Sequence, residues 1–305
     1  MVDAMRVIGC NGRMARSNPQ KLWHYAGPIS GETIMPGLIR FIRDIFSVDA
    51  SPLLSIGHDP ETVTFGWWHG SELAANISVF PRRLCLQGTD IQALGIQSVG
   101  VRPDFRGKGL FTDLIQKVVA HADNRSCPIV FTTDKPDIFV PWGFRPVPSS
   151  AFVVPVQPSL HAPRYRRLAM DQAKDIDLIK TCFATRAPTS LVASTRDHAS
   201  AFFMAALANP GIEVLHLTDL DAIIAVRGRE GKAMILLDVI AASIPQVQDI
   251  AAALAYAGSR VILHLTPDLL APEYDEIPNP YPTPLMVRGS FAPEGLPIML
   301  SRMRV

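Results

Sequence analysis

Residues 99–111 read V-G-V-R-P-D-F-R-G-K-G-L-F. An apolar strand ends at Val101, and Pro103 cannot extend its ladder. Gly107 and Gly109 admit backbone conformations that a side chain forbids. A helical stripe of Leu110, Leu114, Ile115, Val118 and Val119 starts at once. The exposed N–H groups of a glycine turn that opens a helix form a concave anion site. Arg102, Arg106 and Lys108 add positive charge beside it. The physics predicts a phosphate or pyrophosphate held mainly by main-chain amides. A Walker loop is excluded, because no GxxxxGK followed by Ser or Thr is present here. The dinucleotide fingerprint GxGxxG is excluded as well, since its third glycine would fall on Thr112.

Working outward, residues 31–46 carry a helical stripe of Ile34, Leu38, Phe41, Ile42 and Ile45, after an irregular stretch at 1–28. Residues 72–80 alternate as a strand, and 83–87, 89–94 and 96–101 read as three more. The helix at 110–122 is followed by a short buried strand at 129–132. Beyond a proline-rich joint at 155–163, the rhythm returns. A helix at 171–183 precedes strands at 213–217, 222–227 and 233–240, a helix within 239–258 and a strand at 260–265. In that helix Ile244, Val247, Ile250, Ala251 and Leu254 share a face. The pattern is α+β, with an internal duplication at a spacing of roughly 150 residues. The expected domains are 1–155 and 164–305.

The 305 residues carry 29 Lys and Arg against 28 Asp and Glu, so nothing points to a nucleic-acid partner. No apolar run reaches the roughly 20 residues that cross a bilayer. The string Val7-Ile8-Gly9-Cys10 has the look of a lipoprotein cleavage site, but Asp3 and Arg6 interrupt the short lead into it. The four cysteines, Cys10, Cys85, Cys127 and Cys182, are too far apart for a zinc knuckle and too few for a disulfide scaffold. They read as reduced thiols of a cytoplasmic protein, with no metal site.

The glycine loop resembles the acetyl-CoA loop of the GNAT superfamily of N-acyltransferases. That loop runs Arg or Gln, two residues, Gly, one residue, then Gly or Ala, after V-x-P-x-[FY]. Val101, Pro103, Phe105, Arg106, Gly107, Gly109 and Leu110 match, while Phe111 stands where Gly or Ala is usual. Downstream, Phe139, Gly143 and Phe144 match the family's aromatic-x-x-x-Gly-Phe element. The resemblance covers about 30–155. The half at 164–305 lacks a glycine loop and resembles the degenerate C-terminal halves of tandem GNAT proteins.

The resemblance implies a mixed, mostly antiparallel sheet flanked by helices, duplicated with a degenerate second copy. It implies transfer of an acetyl group from acetyl-CoA, as co-substrate, to an amine of a small molecule or peptide. The alternative is an acyl-CoA-binding pseudoenzyme with a regulatory role. A homo-oligomer is compatible with either. The resemblance assigns CoA contacts to Val99, Val101, Arg106, Gly107, Lys108, Gly109, Leu110, Phe111, Thr132 and Phe139. The family's usual acid is a Tyr where this chain has Phe139, and its usual base is a carboxylate on the strand before the loop. Residues 93–101 hold none, and Gln97 and Ser98 are their only polar side chains, which makes these two the catalytic candidates. Off that strand, Glu72, Asp90, Asp134, His58 and His69 are candidates for the base, Thr132 and Thr133 for proton donors, and Trp142 for a substrate-facing wall. The second half is expected either to wall the acceptor pocket or only to brace the first half.

Overall fold

The computed structural model describes residues 22–30, 34–159, 162–196, 199–229 and 233–303. Cys10 lies outside the described residues. The chain folds into two mixed sheets with the same strand order. In the first, β1 (Trp23–Ser30), β2 (Val63–His69), β3 (Glu72–Leu86) and β4 (Thr89–Val101) run antiparallel, and β5 (Ile129–Thr132) joins β4 in parallel. In the second, β8 (Arg166–Arg167), β10 (Glu213–Leu217), β11 (Ala222–Arg227) and β12 (Met234–Ala241) run antiparallel, and β13 (Arg260–Leu263) joins β12 in parallel. The expected duplication is thus a repeated sheet topology.

The two sheets exchange strands between the halves. β15 (Leu285–Arg288) sits between β5 and β6 (Arg145–Val147). β7 (Ser150–Pro155) sits between β13 and β14 (Asp275–Pro278). A short β9 (Ala193–Thr195) also pairs with β3 from the second half. Backbone ladders therefore tie the halves together, and neither sheet is complete without the other half of the chain.

Helix α3 (Leu110–Asp123) buries Leu114, Ile115 and Val118 against Ile77, Val79, Ile96 and Phe131 on one face of the first sheet. Helix α1 (Met35–Phe46) packs Leu38 and Phe41 with Leu73, and α2 (Leu53–Ile56) follows it. In the second half, α4 (Ala173–Thr185) and α5 (Ala199–Ala208) share a core with β10 to β12, and α6 (Val247–Ala253) joins β12 to β13.

Some expectations are corrected. The stretch at 1–28, expected to be irregular, includes the start of β1, whose Trp23 and Tyr25 lie opposite His69 and Trp67. The expected strands at 72–80 and 83–87 fuse into β3. Pro81 interrupts nothing, because β2 ends at Val63↔Val79 and β9 begins at Leu84↔Thr195, so no strand needs its missing N–H on that side. Strands 89–94 and 96–101 fuse into β4 through Gly95, whose absent Cβ makes room for the Phe80 ring. The helix within 239–258 is only α6, because residues 239–241 still belong to β12.

Candidate active site

At the C-terminal end of β4 the chain makes a 3-10 turn over Pro103–Phe105, then passes through Gly107 and Gly109 into α3. Both glycines hold φ of +74°, and a Cβ at either would point into open space. Gly109 is the N-cap, and no side chain caps the helix. The first amides of α3 have no intrahelical acceptor and face outward at the positive end of the helix dipole. A turn of this shape is able to cradle an anion. Lys108 stands beside it, its Nζ over the rings of Trp23 (5.3 Å) and Phe105 (5.1 Å). Arg106 Nε donates to the Val101 carbonyl (3.2 Å), leaving the guanidinium exposed. Arg102, expected at the cradle, is engaged elsewhere: it pairs with Asp44 (2.9 Å) and Glu72 (3.2 Å) and donates to the Leu73 carbonyl.

Behind the cradle, β4 and β5 part. They pair only at Leu94↔Ile129, and β5 then follows β15 instead. On its other side β4 carries a bulge, because Ser78 pairs Gln97 while Asn76 pairs Gly100. Within the bulge Ser98 adopts φ of +52°, uncommon for a residue with a side chain. Asn76 Nδ2 holds the bulge by donating to the Ser98 carbonyl (2.8 Å) and to Ser78 Oγ (3.1 Å). Backbone strain of this kind concentrates where a site needs an unusual main-chain orientation.

The gap opens into a cavity of about 440 Å³. Ile96, Gln97, Ser98 and Val99 line it from β4; Phe131, Thr132, Thr133 and Asp134 line it from β5 and the residues after it. Helices α1 and α2 and their connection form another wall with Met35, Leu38, Ile42, Phe46, Val48 and Leu53. His58, Asp59, Thr62 and Thr64 follow, and Ser200, Ala201 and Met204 of α5 close it from the second half. Asp59 is tied down, since its carboxylate accepts the Glu61 N–H (2.9 Å).

Phe139 lines this cavity while remaining 2% exposed, its ring edge-on to Phe111, Phe131 and Phe144. At the two departures from the acetyl-CoA pattern, the bulky Phe111 packs against the core and the Phe139 ring, and Phe139 stands among three rings.

The sequence candidates divide cleanly. Gln97, Ser98, Val99, Thr132, Thr133, Asp134, Phe139 and His58 all line the cavity, whereas Glu72, Asp90, His69 and Trp142 do not. Asp90 pairs with Arg196, and His69 packs with Trp23 and Phe105. Trp142 lies against the core and its carbonyl accepts Arg288 Nε (3.0 Å). Among the described residues no cluster of His, Cys, Asp and Glu could hold a metal ion. The wall from α5 had no signal in the chain, because α5 is apolar around its circumference and reads only as buried.

The corresponding place in the second half is plugged. β12 and β13 stay paired over Met234↔Val261, Ile235↔Ile262 and Leu236↔Leu263. Beyond them Arg186 Nη2 donates to buried Asp238 (2.7 Å) and to the Val239 carbonyl (2.9 Å). Ser301 Oγ donates to Asp238 (2.8 Å), filling the gap where the first half is open.

Residues 44–141 match a family model described as an acetyltransferase (GNAT) domain. The chain carries a GNAT domain. Solved structures extend the likeness of fold to both halves. A conserved protein of unknown function from Enterococcus faecalis is 12% identical, with a TM-score of 0.56, covering 87% of this chain and 72% of that one. A GCN5-related N-acetyltransferase from Anabaena variabilis is 15% identical, with a TM-score of 0.56 and the same coverage. Eis1 from Mycobacterium abscessus is 13% identical, with a TM-score of 0.54, covering 87% of this chain and 73% of that one. No curated protein matches the sequence. The α+β GNAT fold is present, acyl transfer is the chemistry of the matched domain class, and no described helix is long and apolar enough to cross a membrane.

Proposed function

We propose that this GNAT domain moves an acetyl group from acetyl-CoA to the amine of a small molecule or peptide. The observation that carries the reading is that β4, which parts from β5 after Leu94↔Ile129 and lines the cavity with residues 96–99, runs on within a few residues into the glycine turn that opens α3. The pyrophosphate meets the amides after Gly107 and Gly109, and the pantetheine arm runs along Val99 and Val101, extending β4 as an added strand would. The thioester then lies at the Ser98 bulge, where a main-chain N–H polarises its carbonyl.

The amine nitrogen attacks the carbonyl carbon, the C–N bond forms and the C–S bond breaks. The nitrogen's proton goes to His58, the only imidazole lining the cavity among the described residues. The departing sulfur takes a proton from water, directly or relayed through the Ser98 hydroxyl, which regains its own proton from that water. Gln97, facing the same space, orients the acceptor. These assignments give the Ser98 and Gln97 candidates distinct tasks and leave Phe139 as an apolar wall.

The test is release of free CoA thiol from acetyl-CoA by the full chain, with and without a panel of amines. Amine-dependent release supports the reading. Tight acetyl-CoA binding without release under any amine supports the acyl-CoA-binding alternative, which the missing hydroxyl at Phe139 favours.

A further inference from the structure

We infer that the acceptor is a primary monoamine on an apolar aliphatic or aromatic body, without a carboxylate. This rests on the proposed acetyl transfer and names its substrate class. The lobe of the cavity away from β5 is walled by Met35, Leu38, Ile42, Phe46, Leu53 and Met204. Met204 comes from the second half and packs against the core around α1. Apolar walls of this kind favour an apolar body, because binding withdraws its surface from water.

The charges in the cavity complete the specification. Among the described residues that line it there is no Lys, Arg or Glu; the only charged side chains are Asp59 and Asp134, with His58 as the one imidazole. An acceptor carboxylate would lose its water with no cation to meet it, which is costly. One ammonium in this cavity shares it with the carboxylates of Asp59 and Asp134 and with the His58 imidazole. A polyamine would leave further ammonium groups among the side chains of α1 and α5.

The same lobe is not read as the berth of a long acyl chain. His58 and Asp134 line the same cavity, and a hydrocarbon tail would cover these groups without pairing them. An amine uses them.

The experiment compares amines of different charge and body, on the full chain at saturating acetyl-CoA. Phenethylamine should exceed L-phenylalanine in kcat/KM by about a hundredfold, since the two differ only by the carboxylate. It should exceed spermidine by about tenfold. Met204→Asp should raise the KM for phenethylamine about tenfold while acetyl-CoA affinity stays at the parent value. Equal or better use of L-phenylalanine or spermidine would overturn the inference. So would octanoyl-CoA outrunning acetyl-CoA with the amine preference lost, because the lobe would then hold the acyl chain. Calorimetric titration of the amines into CoA-saturated protein reads the pocket without turnover. Phenethylamine binding without L-phenylalanine binding upholds the pocket even if no transfer occurs, in which case the transfer reading alone fails. Absence of phenethylamine binding overturns the inference itself.

Discussion

Replacing Gly109 with alanine separates what this glycine does for the fold from what it does for the ligand. Its φ of +74° lies in the left-handed region, and the added methyl would meet no atom within 4 Å. The cost to folding is therefore backbone strain alone, about 1–2 kcal/mol for an L-residue. The reduced freedom of the unfolded chain offsets part of that, about 0.4–1 kcal/mol. A net loss of about 1 kcal/mol follows, readable by urea denaturation. In the proposed binding mode the anion approaches the first amides of α3 through this open space, so the methyl would block the ligand. Calorimetry should find acetyl-CoA binding weakened at least tenfold, or about 1.4 kcal/mol. Gly88→Ala is the matched control: it too has φ of +74° and open space, in the β3–β4 turn. It should lose similar stability and keep full affinity. Unchanged acetyl-CoA affinity in Gly109→Ala, with stability lowered as in Gly88→Ala, would refute the cradle.

Phe139→Tyr should bind acetyl-CoA and turn over within about tenfold of the parent, because its ring is enclosed by Phe111, Phe131 and Phe144; a gain approaching the 10²–10⁴ typical of general acid help would mark the chain as a decayed transferase. His58→Gln should cut kcat about a hundredfold with acetyl-CoA affinity unchanged, measured by thiol release and calorimetry. Arg186→Met strands the carboxylate of buried Asp238 and should cost about 3–5 kcal/mol in urea denaturation, against little for an Arg164→Met control at an exposed pair. Burial, with help from Arg302 and Arg227, pushes His264 down to about 4 from an ordinary 6.5, and its Nδ1 shares a hydrogen bond with the Tyr281 hydroxyl (2.7 Å). The unfolded chain therefore binds the proton more readily, so stability present above pH 6.5 is lost as pH falls toward 4. His264→Asn should remove that share of the slope in denaturation curves taken across this range.

Local signals carried the cradle and the strands around it. Glycine at 107 and 109 between an apolar strand and an apolar-faced helix has few physical solutions, and the helix at 110–122 and strand at 129–132 followed within a residue of α3 and β5. Phe139 was readable as a position but not as a packed ring, since its three aromatic neighbours come from α3, β5 and the residue after Gly143. The exchange of β7 and β15 was not readable. Both are short, and their partners lie more than a hundred residues away, so only the sheets they complete identify them. The α5 wall was hidden for a related reason: a helix such as A-S-A-F-F-M-A-A-L-A is apolar enough to be buried anywhere, and only the fold brings Met204 to α1.

The central claim is that the cleft at Ser98 passes an acyl group from a thioester to an amine. The most direct measurement mixes the full chain with acetyl-CoA labelled in the acetyl group and excess phenethylamine, then follows the label by mass spectrometry. The account predicts labelled N-acetylphenethylamine accumulating in step with free CoA thiol, and both falling together in Gly109→Ala. Acetyl-CoA bound at the cradle but recovered with its label intact, whatever amine is present, would contradict it.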